Sequence, residues 1–168
     1  MINPDPAFQI SKKGLYFLSL GGIGEIGANC YLYGSDNKWL MIDLGLTFAD
    51  NQYPGIDLLL PQVDFLDNIK NNLEAVIISH GHEDHAGALP YFIDKIQCPI
   101  YATGFASSLL KRRLKEFGKL NNVNLNIINL DKILKFKNFE LQFISTTHSI
   151  PEPYSIIITT KYGKLLHT

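Results

Sequence analysis

Val76-Ile77-Ile78-Ser79-His80-Gly81-His82-Glu83-Asp84-His85-Ala86-Gly87 is the stretch on which the fold and the chemistry turn. A short apolar run of strand character ends at Ile78. From Ala88 to Ile96 the apolar residues Leu89, Phe92, Ile93 and Ile96 fall at helical spacing until Cys98-Pro99 stops them. Between strand and helix lie His80, His82, Asp84 and His85, all metal-binding types within six positions. His80 and His82 are two apart, so an extended backbone points both rings the same way and lets both reach one ion. Asp84 and His85 fall where the chain turns into the helix and face a second ion beside the first. Gly81 permits the tight backbone, and Asp84 is also suited to the helix cap. Without a cation, this many desolvated rings would repel one another if charged and lack partners if neutral. Imidazole with carboxylate suits Zn2+, and Mn2+ becomes suitable as carboxylates and waters increase. Glu83 alternates with His82 and Asp84 and is expected to point away from the ions.

Outward from this loop, short strands alternate with helix signals. Leu15–Leu20 reads as a buried strand ending at Gly21-Gly22. Cys30–Tyr33 and Trp39–Ile42 flank the turn cluster Gly34-Ser35-Asp36-Asn37 and read as a hairpin. Pro61 to Ile69 reads as a short helix. Ile100–Ala102 is strand-like, and Phe105 to Phe117 is a second helix with Leu109, Leu110, Leu114 and Phe117 on one side and Gly118 as its stop. Five strand-like runs follow: Leu125–Ile128, Ile133–Phe136, Phe139–Ile144, Ser155–Thr160 and Lys164–His167. The order predicts an α/β domain with mixed or antiparallel sheets. His148, in Ser145-Thr146-Thr147-His148-Ser149-Ile150-Pro151, follows one of these strands directly and is a candidate third imidazole for the first ion; His167, inside an apolar strand, reads as structural.

Gly22-Ile23-Gly24-Glu25-Ile26-Gly27 spells a dinucleotide-binding glycine pattern, but that function needs a helix starting at the glycines. Cys30-Tyr31-Leu32-Tyr33 follows instead, so the segment reads as a tight turn between strands. Lys111-Arg112-Arg113-Leu114-Lys115 is the basic cluster and reads as the polar face of an amphipathic helix.

Composition bounds the remaining choices. With 168 residues, 46% hydrophobic, the chain is long enough for one domain with a proper core and too apolar for disorder. A net charge of −1 excludes a chain that holds nucleic acid by bulk basicity. No apolar run approaches the roughly 18 to 20 residues that span a bilayer, so no membrane association is expected. Met1–Pro6 lacks the pattern of a secretory leader. Cys30 and Cys98 fit reduced thiols of a cytoplasmic protein.

His80-x-His82-x-Asp84-His85 after an apolar strand resembles the signature of the metallo-β-lactamase superfamily. Leu20–Gly27, Ile42-Asp43-Leu44-Gly45, Pro54-Gly55-Ile56-Asp57, Ser79 through Tyr91 and Thr146–Pro151 narrow the resemblance to the bacterial ribonuclease J family of its β-CASP branch. It runs from about Leu15 to the end of the chain. It implies an αββα sandwich, of which residues 1–168 would supply only the N-terminal half, the β-CASP and C-terminal domains lying elsewhere. It assigns His80, His82 and His148 to one ion, and Asp84 and His85, the catalytic pair, to a second. Asp43 resembles the aspartate that braces the histidine loop. Its plainer reading is a strand-end turn residue, but metal-bound histidines need oriented acceptors.

The implied function is RNA hydrolysis, endonucleolytic and 5′-to-3′ exonucleolytic, by a hydroxide bridging two Zn2+ (or Mn2+) ions, with RNA as substrate and a homo-oligomer as the full-length form. The chain stops at Leu165-Leu166-His167-Thr168, a point that the resemblance implies is just before the family's bridging aspartate. The sequence alone is therefore expected to be inactive or very weak. A small-molecule metallohydrolase of the same superfamily, such as a thioesterase or lactonase, and a non-catalytic truncated domain remain the competing readings.

Overall fold

The computed structural model describes residues 13–168, so the expectation for Met1–Pro6 lies outside the described residues. In chain order the strands are β1 (Leu15–Gly21), β2 (Cys30–Ser35), β3 (Lys38–Ile42), β4 (Thr47–Phe48), β5 (Leu58–Leu59), β6 (Leu73–Ile78), β7 (Ile100–Ala102), β8 (Leu125–Ile127), β9 (Leu134–Lys135), β10 (Glu140–Ser145), β11 (Tyr154–Thr160) and β12 (Gly163–His167). The helices are α1 (Leu66–Ile69), α2 (Glu83–Ala86), α3 (Leu89–Phe92) and α4 (Gly104–Glu116).

β1-β2-β3-β6-β7-β8 form a six-stranded sheet and β12-β11-β10-β9 a four-stranded one. The first is mixed: β1, β2 and β3 are antiparallel, and β3, β6, β7 and β8 run parallel. The second is antiparallel throughout. Period-2 alternation decides which side chains go where. Cys30, Leu32, Trp39, Met41, Val76 and Ile78 point to one face of the large sheet and pack with Leu66, Leu89, Leu110 and Leu114 from the helices. Tyr33, Leu40, Ile42, Ala75 and Ile77 point to the other and meet Leu141, Ile156 and Ile158 of the small sheet, with Phe139 just before β10. Helices, sheet and sheet thus stack as three layers of the expected sandwich. Ile144 and Leu166, on the outer face of the small sheet, are exposed.

The glycine segment between β1 and β2 carries no helix, and Gly22, Gly24 and Gly27 all have positive φ, as a tight turn requires. Two helix spans are shorter than their patterns predict. Pro61–Ile69 is helical only over Leu66–Ile69. Ala88–Ile96 is helical over Leu89–Phe92 and then tightens into a 3₁₀ turn, Ile93–Lys95, that ends in extended backbone at Ile96. The helix beginning near Phe105 is α4, with Thr103 accepting the Ala106 N–H as its cap. In the basic cluster, Arg112 pairs with Glu116 and Arg113 with Glu83.

Because β3, β6 and β7 are parallel, their carboxyl ends open on one edge of the sandwich, where ligands of open α/β sheets bind. β10 and β12, both antiparallel to β11, end on the same edge.

Candidate metal centre

The ends of three strands, β3, β6 and β10, build the site together with the turn into α2. β6 delivers Ser79 and His80, the turn into α2 delivers His82, Asp84 and His85, the loop after β10 delivers His148, and β3 delivers Asp43. His80, His82 and His148 offer ligand nitrogens that all lie within 4.8 Å of one another. His80 Nε2 stands 3.2 Å from His82 Nδ1, close to the roughly 3.4 Å that two ligands on a tetrahedral zinc with ~2.0–2.1 Å bonds would show. The His148 ring is edge-on to both, with centroids 5.0 Å from His80 and 4.8 Å from His82. The donor set fits a divalent ion.

Proton positions follow from the hydrogen bonds. Asp43 is fully buried and can only accept. Its Oδ1 takes the Ser79 N–H at 2.8 Å, and its Oδ2 takes the Ser79 hydroxyl at 2.9 Å and His85 Nδ1–H at 2.7 Å. Ser79 Oγ, its proton given to Asp43, accepts His80 Nδ1–H at 2.9 Å. One buried carboxylate therefore fixes an Nδ1 proton on both imidazoles and leaves each Nε2 facing the cavity.

Burial, then the charge of nearby His85, pushes the His80 imidazole down to about 4, which keeps it a neutral ligand. Burial would raise the Asp43 carboxyl, but the His85 hydrogen bond and charge outweigh it and hold it below its ordinary value. His85 moves the other way: burial lowers it, and the Asp43 bond raises it above the ordinary imidazole value.

The backbone around Asp43 also cradles the one-turn helix α2. Leu44 N–H donates to His85 O, Leu46 N–H to Glu83 O and Asn29 N–H to Asp84 O. Gly45 lies so close that a Cβ there would sit 1.7 Å from Asp84 O, which is why no side chain is tolerated. Asp43 is thus a bracing acceptor and not merely a turn residue.

Asp84 and His85 are not among the three clustered ligand groups, but they adjoin them. Asp84 Oδ2 is 3.5 Å from His85 Nε2, and the His80 and His85 ring centroids are 4.1 Å apart. Asp84 does not cap α2, whose cap position is His82 with no side-chain hydrogen bond. Glu83 points away, to Arg113 at 3.3 Å, as its alternation implies. Two contributors escaped the sequence reading. Asn29 donates its side-chain amide to Asp84 O at 3.0 Å and to Asp84 Oδ2 at 3.2 Å, and lies 3.2 Å from His85 Nε2; only its place after a glycine turn distinguished it. His167 is no bystander of an apolar strand: it lines the same cavity as His80, His85 and His148. Leu165 and His167 share the inward face of β12, a placement that alternation with outward Leu166 did encode.

Comparison with known proteins places the chain in a family. The family model described as the metallo-beta-lactamase superfamily matches residues 23–168. Ribonuclease J 2 of Staphylococcus epidermidis and that of Staphylococcus aureus are each 33% identical over 157 residues, which is 94% of this chain. The chain spans 28% of the length of these curated relatives. Among solved structures, the metallo-beta-lactamase fold protein YhfI from Bacillus subtilis is similar at a TM-score of 0.60 and 20% identity, over 89% of this chain and 60% of that one. A diphosphatase of the PhnP family is similar at a TM-score of 0.54 and 17% identity, over 78% and 49% of the two chains. At such identities these structures bear on the fold alone.

Proposed function

The chain belongs to the metallo-beta-lactamase superfamily, and from that premise we propose that it is part of a ribonuclease J-like enzyme, a metal-dependent hydrolase of RNA phosphodiester bonds. The observation that carries the metal-dependent part is the His80, His82 and His148 cluster, with ligand nitrogens within 4.8 Å of one another. RNA as substrate is supported by the 33% identity to ribonuclease J 2 over 94% of the chain. In this reading His80, His82 and His148 hold one divalent ion, Zn2+ or Mn2+, and Asp84 with His85 holds a second. When bound, such ions supply Lewis acidity toward a phosphoryl oxygen and an activated water.

The residues of the chain do the rest. Asp43 keeps His80 and His85 in the tautomer that turns Nε2 to the ions. Asn29 donates to Asp84 Oδ2 and so orients that carboxylate. Thr146 N–H and Oγ1 both donate to Pro153 O, closing the loop that carries His148. Glu152, in the same loop, accepts the Phe105 N–H at 2.8 Å and ties it to the start of α4. Free thiols at Cys30 and Cys98 support a cytoplasmic location.

The test is hydrolysis by the native gene product that contains this sequence, assayed with Zn2+ or Mn2+ on single-stranded RNA and, in parallel, on lactones and thioesters. We expect RNA cleavage that a chelator abolishes and that His80→Ala and His148→Ala reduce by several orders of magnitude. Hydrolysis of lactones or thioesters with RNA left intact would overturn the RNA assignment. Full RNA cleavage by both alanine variants would overturn the metal centre.

A further inference from the structure

We infer that His167, held by Tyr33, is a positioning residue of the metal centre, acting on the ions' histidines through the Asp43 carboxylate. This rests on the metal centre proposed above. His167 is buried at the end of β12, and its ring is edge-on to Tyr31 at 5.4 Å and to Tyr33 at 5.9 Å between centroids. Tyr33 Oη lies 3.0 Å from His167 Nδ1. Burial, then Tyr31 and Asp43, pushes the Tyr33 phenol up to about 12, so its O–H is a proton donor at neutral pH. A donor at Nδ1 makes that nitrogen an acceptor and places the ring proton on Nε2.

His167 Nε2 then faces Asp43 Oδ2 from 4.0 Å. That is too long for a hydrogen bond, but between buried groups an N–H dipole at this distance still acts on a carboxylate oxygen. Oδ2 is the same oxygen that takes His85 Nδ1–H and the Ser79 hydroxyl. Tyr33 on β2, His167 on β12 and Asp43 after β3 thus form a chain across the two sheets that ends on the imidazoles meant for the ions.

Two readouts on the 168-residue chain separate this role from packing alone. Long-range proton–nitrogen NMR reports the tautomer of each ring, and we expect His167 to be neutral with its proton on Nε2. A proton on Nδ1 would overturn the inference. Zinc affinity, measured by competition with a chromogenic chelator, is the second. His167→Phe keeps an aromatic ring between Tyr31 and Tyr33 but removes both nitrogens; we expect a loss of about 10-fold or more, the scale of partners that orient metal ligands. His167→Gln, which retains an N–H donor in the Nε2 position, is expected to recover most of it. Should the phenylalanine variant not fold, Tyr33→Phe carries the test, with a mixed His167 tautomer and weakened zinc binding expected. Wild-type affinity in a folded His167→Phe or Tyr33→Phe chain would overturn the inference and leave the metal centre standing, whereas a wild-type chain that binds no zinc would remove both.

Discussion

Strand β3 has an aspartate just beyond each end, and the two make opposite uses of the same side chain. Asp36, in the turn before it, and Asp43, directly after it, both have left-handed backbones, at φ 46° and 62°. Each faces polar groups carried by both sheets. Asp36 accepts the Gly14 N–H at 3.3 Å and the Tyr162 O–H at 2.5 Å, and pairs with Lys161 from the β11–β12 turn. Asp43 accepts from Ser79 and His85 and faces His167. The difference is water. Asp36 is partly exposed, so solvent can replace a partner that is lost, while Asp43 is fully buried and has no solvent to fall back on. The same carboxylate is therefore a fastener at one end of β3 and the organiser of the histidine cluster at the other.

The largest effect is expected from breaking the dry end. Asp43→Ala leaves the Ser79 N–H, the Ser79 hydroxyl and His85 Nδ1–H without an acceptor. Removing one partner of a buried charged network costs about 3–5 kcal/mol, a large share of a typical domain's total. We expect a chain that is largely unfolded or that melts far below wild type by circular dichroism. Asp43→Asn is the sharper version. Its amide can donate to His85 Nδ1, which forces the His85 proton onto Nε2 and takes away the lone pair meant for an ion. The chain should then fold, show the reversed His85 tautomer by NMR, and lose one ion from its zinc stoichiometry. Unchanged stoichiometry would detach Asp43 from the second ion.

Next in size is Gly45→Ala. A methyl group there meets Asp84 O and His85 N, so the Leu44–Leu46 segment and α2 must separate. Zinc affinity should fall by more than 10-fold, with most of the fold retained. Below it comes Glu152→Ala, which removes the acceptor of the Phe105 N–H while touching no histidine. The exposed His148 loop should loosen and zinc binding weaken by a few-fold; faster amide exchange over residues 146–153 would locate the cause.

These residues differ in how far the sequence announces them. His80, His82, Asp84 and His85 are legible because they are close in sequence and chemically distinctive. The strands on either side are legible because alternation and apolar runs survive without tertiary information. Asn29, Tyr33 and His167 are different: each is an ordinary residue in an ordinary strand or turn, and its role exists only once β2, β3 and β12 converge on Asp43. The α3 pattern misled for a related reason. Its apolar spacing records which side faces the core, and a 3₁₀ turn satisfies that as well as an α-helix over so short a span. The turn at Asp36-Asn37 is legible, since paired left-handed residues are what a tight hairpin demands, but the ion pair with Lys161 spans the two sheets and no local pattern encodes it.

The wet end supplies the smallest expected effect and the control for the rest. The Lys161 and Tyr162 hydrogen bonds, aided by the Gly14 N–H, hold the Asp36 carboxyl down to about 2. A carboxyl held lower in the folded state than in the unfolded chain contributes stability that is fully present above its ordinary value of 3.8 and is lost as pH falls toward about 2. Asp36→Asn should therefore melt only slightly below wild type at neutral pH, converge with it as pH drops through that window, and bind zinc with wild-type affinity throughout. A melting difference that persists at the acid end would mean that the hairpin turn, and not the charge, is what Asp36 provides. A change in zinc affinity would mean that the two ends of β3 are mechanically coupled, and the contrast between a surface fastener and a buried organiser would no longer hold.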